Sequence, residues 1–368
     1  VSEFTDSDAI LFARQPYFWA KHFMDLQSHP TTAFSVPPQI ALLQMVTGTW
    51  VAQSIYVAAK LGIADLLPEA AQHYEQLANA TGTHAPSLYR LLRSLASLGI
   101  FTETELGYFA LTPLGHYLQS NVSGSMCATA IMLGEEHYQA WGHILHSIRT
   151  GNSAFEQVYR MPIFDYYAQN PESAKIFDQA MTSFSSVEID AVVQSYDFSA
   201  IQTLVDVAGG HGSLIAAVLK ANLHLQGILL DVAPVIEGAQ PLIEAEGLAS
   251  RCQLTAGDFF QQVPVGGDAY MLKHIIHDWD NERSIAILQN CRQAMHPNGR
   301  VLVIEQVIPP GNEPFMGKLL DINMLVMAPG GQERTAAEYQ WLFEQAGLKL
   351  TCVIPTQADV SIVEGILA

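Results

Sequence analysis

From residue 203 onward, short β-branched runs alternate with amphipathic stretches, and this alternation leaves few folds open to the chain. Strand-like runs fall at 203–208, 227–231, 252–255, 268–273, 300–305, 348–354 and 360–367. Helical patterns fill intervals between them at 214–220, through Ile285, Leu288 and Met295, and at 318–327 and 335–346. Strand–helix–strand units of this kind build a parallel sheet, because each right-handed crossover packs its helix back onto the sheet. The spacing therefore predicts an α/β half, with a mostly parallel seven-stranded sheet covered by helices on both faces. Pro241 lies inside one helical stretch and has no N–H to donate, so a break or kink is expected there.

The first of these strands runs into Asp206-Val-Ala-Gly-Gly-His-Gly212. Glycines at a strand-to-helix junction permit a tight turn and a close backbone approach to a ligand. The turn alone fits any nucleotide-like ligand. Asp231 ends the next strand, 19 residues after Gly212, where a carboxylate can accept hydrogen bonds from both hydroxyls of a ribose. That suits NAD and S-adenosylmethionine alike, and two details favour the second. Counting from Gly210, Gly212 is in place for GxGxxG but Ile215 takes the last position. No further feature cradles a pyrophosphate, which S-adenosylmethionine lacks. Downstream, Ala256-Gly-Asp-Phe-Phe260 sets Asp258 and two aromatic rings just after a strand. An acid there can accept from an adenine amino group while a ring packs on the base.

Charge narrows the partners. Acidic residues outnumber basic ones 36 to 17, for a net charge of −19. Broad contact with nucleic acid or an anionic membrane needs clustered Lys and Arg, so neither is expected. The four cysteines, Cys127, Cys252, Cys291 and Cys352, are scattered and form no CxxC, which reads as reduced thiols in a cytoplasmic protein. The opening residues 1–8 are acidic, unlike a secretory leader. Residues 40–59 carry no charge and are about as long as a membrane span, yet Gln44, Thr47, Thr49, Gln53 and Ser54 interrupt them. They are expected to be one or two helices needing burial in the domain or against a second subunit. A short helix closed by Gly82, a second helix from Pro86 to Gly99 and a hairpin turning at Gly107 make a winged-helix pattern. Residues 50–116 are net −2, with only Arg90 and Arg93 on the candidate groove-reading helix, so a structural or dimerising role is expected rather than DNA binding. Residues 120–195 are expected to be all helical.

The run Leu204-Val-Asp-Val-Ala-Gly-Gly-His-Gly212, with Asp231, Gly257-Asp-Phe-Phe260, Leu272-Lys-His-Ile-Ile-His-Asp-Trp279 and Gly330-Gly-Gln-Glu-Arg-Thr335, resembles the small-molecule O-methyltransferases related to caffeate and hydroxyindole O-methyltransferases. The likeness spans nearly the whole chain. It implies a Rossmann-like methyltransferase domain at 196–368, a helical winged-helix dimerisation domain at 1–120, and a helical linker and substrate-pocket region at 121–195. It also implies a homodimer whose N-terminal domains interlock, S-adenosylmethionine as cofactor with S-adenosylhomocysteine as product, a small-molecule acceptor, and no metal. Cofactor contacts are carried over to Asp206, Gly209, Gly210, Asp231, Val232, Gly257, Asp258, Phe259 and Lys273.

Methyl transfer from a sulfonium is an in-line displacement, and a phenol or enol oxygen attacks best as its proton leaves. A histidine, ordinarily titrating near ~6.5, suits that task. His277 follows the 268–273 strand, where open α/β sheets place ligands, and matches the family's general base. The resemblance sets Glu305 and Glu333 around it, one of them fixing its tautomer. Asp278 neighbours the base. His274, His277 and Asp278 show no recognised metal-ligand spacing. Trp141, Phe177, Met181, Met324 and Ala328 match pocket positions and imply an apolar, aromatic acceptor. Three departures stand out: Ala208 where many relatives carry glycine, His211 where threonine is frequent, and Ala328 where plant phenylpropanoid enzymes carry asparagine. The last makes a monolignol acceptor doubtful. Methylation of a hydroxyl is expected. The alternatives are N-methylation, decarboxylation or hydroxylation on the same fold, and a cofactor-sensing DNA-binding regulator.

Overall fold

A computed structural model describes residues 37–67 and 70–368, leaving the acidic opening at 1–8 outside the described residues. Two helices come first, α1 (Pro38–Val46) and α2 (Gly48–Lys60). Pro38 suits the first turn of α1, where an N–H would have no helical partner. Within the 23 residues from Pro38 to Lys60 an 18-residue window reaches a mean hydropathy of 1.3, and this is the one run among the described residues long and apolar enough to cross a membrane. This stretch was expected to need burial in the domain or against a second subunit, and within the single chain Leu42, Leu43, Met45 and Val46 on α1 and Trp50 on α2 are each more than half exposed.

Trp50–Ala368 is one compact unit. Its first part holds α3 (Tyr74–Thr81), α4 (Ala85–Ser97) and an antiparallel three-stranded sheet of β1 (Gln72–His73), β2 (Phe101–Glu105) and β3 (Tyr108–Leu111), in the order β1-β3-β2. Gly82 ends α3 with φ +65°, and Gly107 turns the hairpin with φ +82°, conformations that cost glycine little. Leu77, Leu88, Leu92, Leu95, Phe101 and Phe109 form its core. Six helices follow, as expected for 120–195: α5 (Cys127–Gly134), α6 (Glu136–Trp141), α7 (Ile144–Thr150), α8 (Ala154–Tyr159), α9 (Ile163–Gln169) and α10 (Pro171–Ser195). Glu135, between α5 and α6, ties α2 to them by a 2.6 Å ion pair with Lys60 and a 3.1 Å bond from the Tyr56 hydroxyl.

The second half is the expected seven-stranded sheet. Its strands are β4 (Thr203–Val207), β5 (Gln226–Asp231), β6 (Cys252–Ala256), β7 (Ala269–Lys273), β8 (Arg300–Glu305), β9 (Leu348–Pro355) and β10 (Ser361–Leu367). The order is β6-β5-β4-β7-β8-β10-β9, parallel except for β10, which runs antiparallel to both its neighbours. Successive strand residues face opposite ways. Leu204, Leu229, Met271 and Leu302 meet Leu214, Val218 and Ile243 from α11 (Ser213–Ala221) and α12 (Ala233–Ala245). On the other face Val205, Leu230, Tyr270 and Val303 meet Ile287, Leu288, Tyr339 and Phe343 from α13 (Asn281–Ala294) and α15 (Ala336–Ala346). Each such aliphatic side chain contributes about 1.5–3 kcal/mol on full burial. Between β8 and α15 lies α14 (Met316–Met327).

The expected break at Pro241 is not found: α12 continues through it, with Ala239 and Ile243 on either side buried. All four cysteines are free. The strand order reverses at β4, flanked by β5 and β7, so a crevice opens at the carboxyl ends of these strands.

Candidate active site

The glycine turn fills that crevice. Ala208 has φ +56°, Gly210 +59° and Gly212 +80°. Ala208 thus sits in a left-handed conformation that favours glycine. A Cβ at Gly209 would collide with the Asp206 carboxylate and the Leu229 side chain. Asp206 is buried, and neither of its carboxylate oxygens has a hydrogen-bond partner among the described residues. Burial pushes its pKa up to about 7, against a smaller opposing pull from Lys273. Asp231 braces the turn, accepting from the Gly210 N–H at 2.9 Å and the Val232 N–H at 2.7 Å. Burial raises its pKa, and those two N–H groups counter the rise.

The loop after β6 joins the same crevice through Gly257, whose N–H meets the Asp231 carbonyl at 2.9 Å. Asp258 is exposed and accepts from the Phe260 N–H at 2.9 Å and from Gln261 Nε2 at 3.1 Å. Phe259 and Phe260 lie 4.8 Å apart between ring centres, and both pack on Trp279.

His277 is buried in the short turn after β7. Its Nδ1 stands 2.6 Å from Glu333 Oε1 and 3.6 Å from Glu305 Oε2, while Nε2 is 3.7 Å from Asp278 Oδ1. Glu305 also accepts at 3.1 Å from the backbone N–H of both Ile275 and His277, which fixes the backbone at His277 to the end of β8. Burial alone would lower the imidazole pKa, but Glu333, Glu305 and Asp278 outweigh it and hold His277 well above the usual histidine range. Burial raises Asp278 to about 6. The donor atoms of His277, Glu305 and Glu333 lie within 4.8 Å of one another, close enough to serve a metal ion as well. The 2.6 Å contact, however, engages Nδ1 as a hydrogen-bond donor rather than as a free ligand.

The segment 330–335 builds this arrangement residue by residue. Gly330, at φ +77°, and Gly331 pass so close to Asp280, Ala328 and the His277 carbonyl that a Cβ would not fit. The Gln332 N–H donates to the His277 carbonyl at 2.8 Å. Glu333 takes the imidazole. Arg334, fully buried, donates to the carbonyls of Ile276 at 2.9 Å and Trp279 at 2.8 Å, on both sides of His277. Thr335 caps α15 reciprocally with Glu338.

Trp141 and Phe177 pack with Phe155, Ile163, Tyr167, Val326 and Met327. Phe164 links this cluster to Trp279, its ring 6.3 Å from Phe177 and 5.8 Å from Trp279. Met324 and Ala328 are buried on and just after α14. Met181 is half-buried on α10, one residue before Thr182, whose hydroxyl meets His211 Nδ1 at 3.3 Å. Along α10, Met181 lies one turn after Phe177 of the aromatic cluster. Lys273 and His274 do not stand free: Glu188 on α10 holds Lys273 Nζ at 3.1 Å and His274 Nε2 at 3.0 Å. Burial opposes the Glu188 charge, but the two cationic partners overcome it and lower its pKa to about 2. His274 has φ +55° and stacks on His277 with ring centres 5.1 Å apart. Sequence reasoning singled out neither Glu188 nor Asn323, which accepts from Trp141 Nε1 at 2.8 Å. Glu188 is one of several polar residues on α10 and carries no distinguishing signal, whereas Asn323 is one of two polar residues in the apolar part of α14.

Comparison with known proteins gives two family matches, an O-methyltransferase domain over residues 141–349 and an O-methyltransferase dimerisation domain over residues 43–121. A phenazine O-methyltransferase of Lysobacter antibioticus is 47% identical over 332 residues, covering 90% of this chain and 97% of that protein. A phenazine-1-carboxylate N-methyltransferase of Pseudomonas aeruginosa is 34% identical, covering 85% and 92%. Among solved structures, an O-methyltransferase from neocarzinostatin biosynthesis, in complex with S-adenosylmethionine and 2-hydroxy-5-methyl naphthoic acid, superposes with a TM-score of 0.77 at 33% identity, covering 86% and 96%.

Proposed function

The chain belongs to the O-methyltransferase family, with the dimerisation domain ahead of the catalytic one, and from that premise we propose that His277 is the general base for methylation of a hydroxyl on a small aromatic acceptor. That the chain is an S-adenosylmethionine-dependent O-methyltransferase acting on small specialised metabolites follows from the family and its relatives. The crevice fits the cofactor: a buried carboxylate without a partner at Asp206, a glycine at 209 where a Cβ would collide, and a carboxylate at the end of β5. When bound, the cofactor supplies an electrophilic methyl group on a sulfonium.

We assign the chain's own groups as follows. Asp231 holds the ribose hydroxyls, and Asp206 receives the cationic end of the cofactor behind Gly209 and Gly210. Val232, Gly257, Asp258 and Phe259 enclose the adenine. Lys273 borders the cofactor while anchored to Glu188. Glu333 accepts a hydrogen bond from the Nδ1–H of His277, which fixes the tautomer and leaves Nε2 to face the acceptor hydroxyl. The surrounding carboxylates raise the proton affinity of that nitrogen. A phenol ordinarily ionises near ~10, so once His277 has shed its own Nε2 proton, a base shifted toward that range takes the phenol's proton at little energetic cost. Glu305 and Glu333 stabilise the resulting imidazolium, and Asp278 lies beside the receiving nitrogen. Trp141, Phe177, Met181, Met324 and Ala328 wall the acceptor. The single observation that carries this reading is the 2.6 Å contact of His277 with Glu333 in the crevice beside the glycine turn.

The helix–helix–hairpin unit at 70–111 is read as a winged-helix scaffold for a cytoplasmic homodimer, its charge unsuited to DNA. A second reading, N-methylation, is favoured by the N-methyltransferases among the relatives, since an amine acceptor could use the same walls. The test is mass spectrometry of candidate acceptors incubated with isotopically labelled cofactor, with the methyl located on oxygen or nitrogen. His277→Ala should keep cofactor affinity and lose about 10²–10⁴-fold in turnover of a phenolic acceptor. Near-normal turnover by that variant would remove the base assignment.

A further inference from the structure

Beyond Lys318, α14 is apolar except for Asp321 and Asn323. Asp321 is engaged, its Oδ1 accepting from the Glu333 N–H at 2.9 Å. Asn323 is half-buried, and its Oδ1 accepts from the Trp141 indole N–H at 2.8 Å. An indole nitrogen only donates, so this bond determines which end of the amide faces Trp141. The planar NH2 group is thereby directed away from the indole, and no described group accepts from it. Its surroundings are apolar. Met324, Val326 and Met327 are buried on the same helix, and Trp141 packs into the aromatic cluster that Phe164 connects to Trp279, two residues past the base. The residue is only half-buried and its amide N–H has no protein acceptor, so an acceptor atom on a bound molecule can pair with it. The reacting hydroxyl is already committed to His277.

Resting on the reading that the acceptor is a hydroxylated aromatic, we propose that Asn323 is a specificity-determining residue that donates a hydrogen bond to a second acceptor atom of the substrate, a ring nitrogen or a carbonyl oxygen. Trp141 acts as a positioning residue, aiming the amide by holding its oxygen. The enzyme therefore selects hydroxylated heteroaromatics or quinone-like rings over plain polycyclic phenols. A site built to bond a polar atom discriminates against analogues lacking it, because its own donor is left unpaired.

The probes are 1-hydroxyphenazine and its carbon isostere 1-hydroxyanthracene, whose binding to the full-length enzyme loaded with S-adenosylhomocysteine is measured by calorimetry. Asn323→Asp keeps an oxygen for Trp141 and replaces the NH2 donor by an acceptor at nearly unchanged volume; Asn323→Leu removes both. The wild type should prefer the phenazine. Both variants should weaken phenazine binding by about tenfold, the worth of one buried hydrogen bond, and leave the anthracene within about twofold. Trp141→Phe, which removes the indole donor together with part of the acceptor wall, should weaken the phenazine more than the anthracene. Equal weakening of both probes, no change for either, or no binding of either by the wild type overturns the proposal. The same mixtures with S-adenosylmethionine separate it from the reading it rests on. A phenazine preference in binding without methyl gain by either probe upholds Asn323 and refutes O-methylation of this acceptor class.

Discussion

At His277 one buried imidazole faces three carboxylates, Glu333 at 2.6 Å, Glu305 at 3.6 Å and Asp278 at 3.7 Å. Burial opposes its charge, but these acids prevail and raise its pKa to about 10. A raised folded-state pKa stabilises the fold fully below the ordinary histidine value near ~6.5, and that contribution disappears as pH climbs through about 10. Glu333→Gln should therefore destabilise the protein by about 3–5 kcal/mol near pH 6, the cost of breaking a buried pair. The deficit should shrink toward pH 10. Thermal melts of both proteins across that range check the sign, and a deficit that grows with pH would contradict it. Kinetically, the same carboxylates displace the rising limb of the kcat profile to alkaline pH. Glu305→Gln and Glu333→Gln should each move that limb toward neutrality, as rate profiles with saturating cofactor would show. Glu188 has the opposite sign: its pKa is lowered to about 2, so its bonds to Lys273 and His274 stabilise above the ordinary carboxylate value and fade in acid.

At the scale of elements, the base is held by a segment distant in sequence. Arg334 reaches across from the loop before α15 and takes the carbonyls on both sides of His277, together with Asn281 Oδ1 at 3.1 Å. A planar fork meets these acceptors at once, which an ammonium cannot do. Arg334→Lys should lose about 2 kcal/mol of stability through unpaired buried carbonyls and reduce kcat more than cofactor affinity. Chemical denaturation paired with calorimetry of cofactor binding tests this, and a variant with wild-type kcat would show that the staple is dispensable to the base. This architecture was partly legible in the sequence. The strands declared themselves by short apolar runs ended by Asp231, Lys273 and Glu305, all at the carboxyl edge where the crevice lies. Glu188 and Asn323 did not, because their partners lie 85 and 182 residues away and a polar residue on a helix looks like a solvated one. Pro241 misled for a related reason: local propensity predicts a break, while α12 continues through it with Ala239 and Ile243 buried on either side.

At the scale of the whole molecule, a chain with net charge −19 leaves large apolar side chains in the open on α1 and on α2. Leu43 is 55% and Trp50 71% exposed, both inside the segment matched by the dimerisation domain. Monomeric proteins seldom leave so many large apolar side chains unburied along consecutive helices. Lys60 and Tyr56, farther along α2, are bound to Glu135 at the start of α6, and α6 carries Trp141 into the acceptor wall. Covering the exposed apolar side chains with a second copy would therefore brace the helix that positions Trp141 and, through its indole, Asn323. Closing such an interface requires about 800 Å² from each partner, which these large side chains can supply only in part. The expected state is a dimer at micromolar concentration. Leu43→Glu and Trp50→Glu, each bringing a charge among the covered side chains, should shift it toward monomer by at least about tenfold in dissociation constant. Sedimentation equilibrium reads that shift directly. A monomeric wild type, or variants that dimerise as tightly as the parent, would place the cover of these side chains elsewhere.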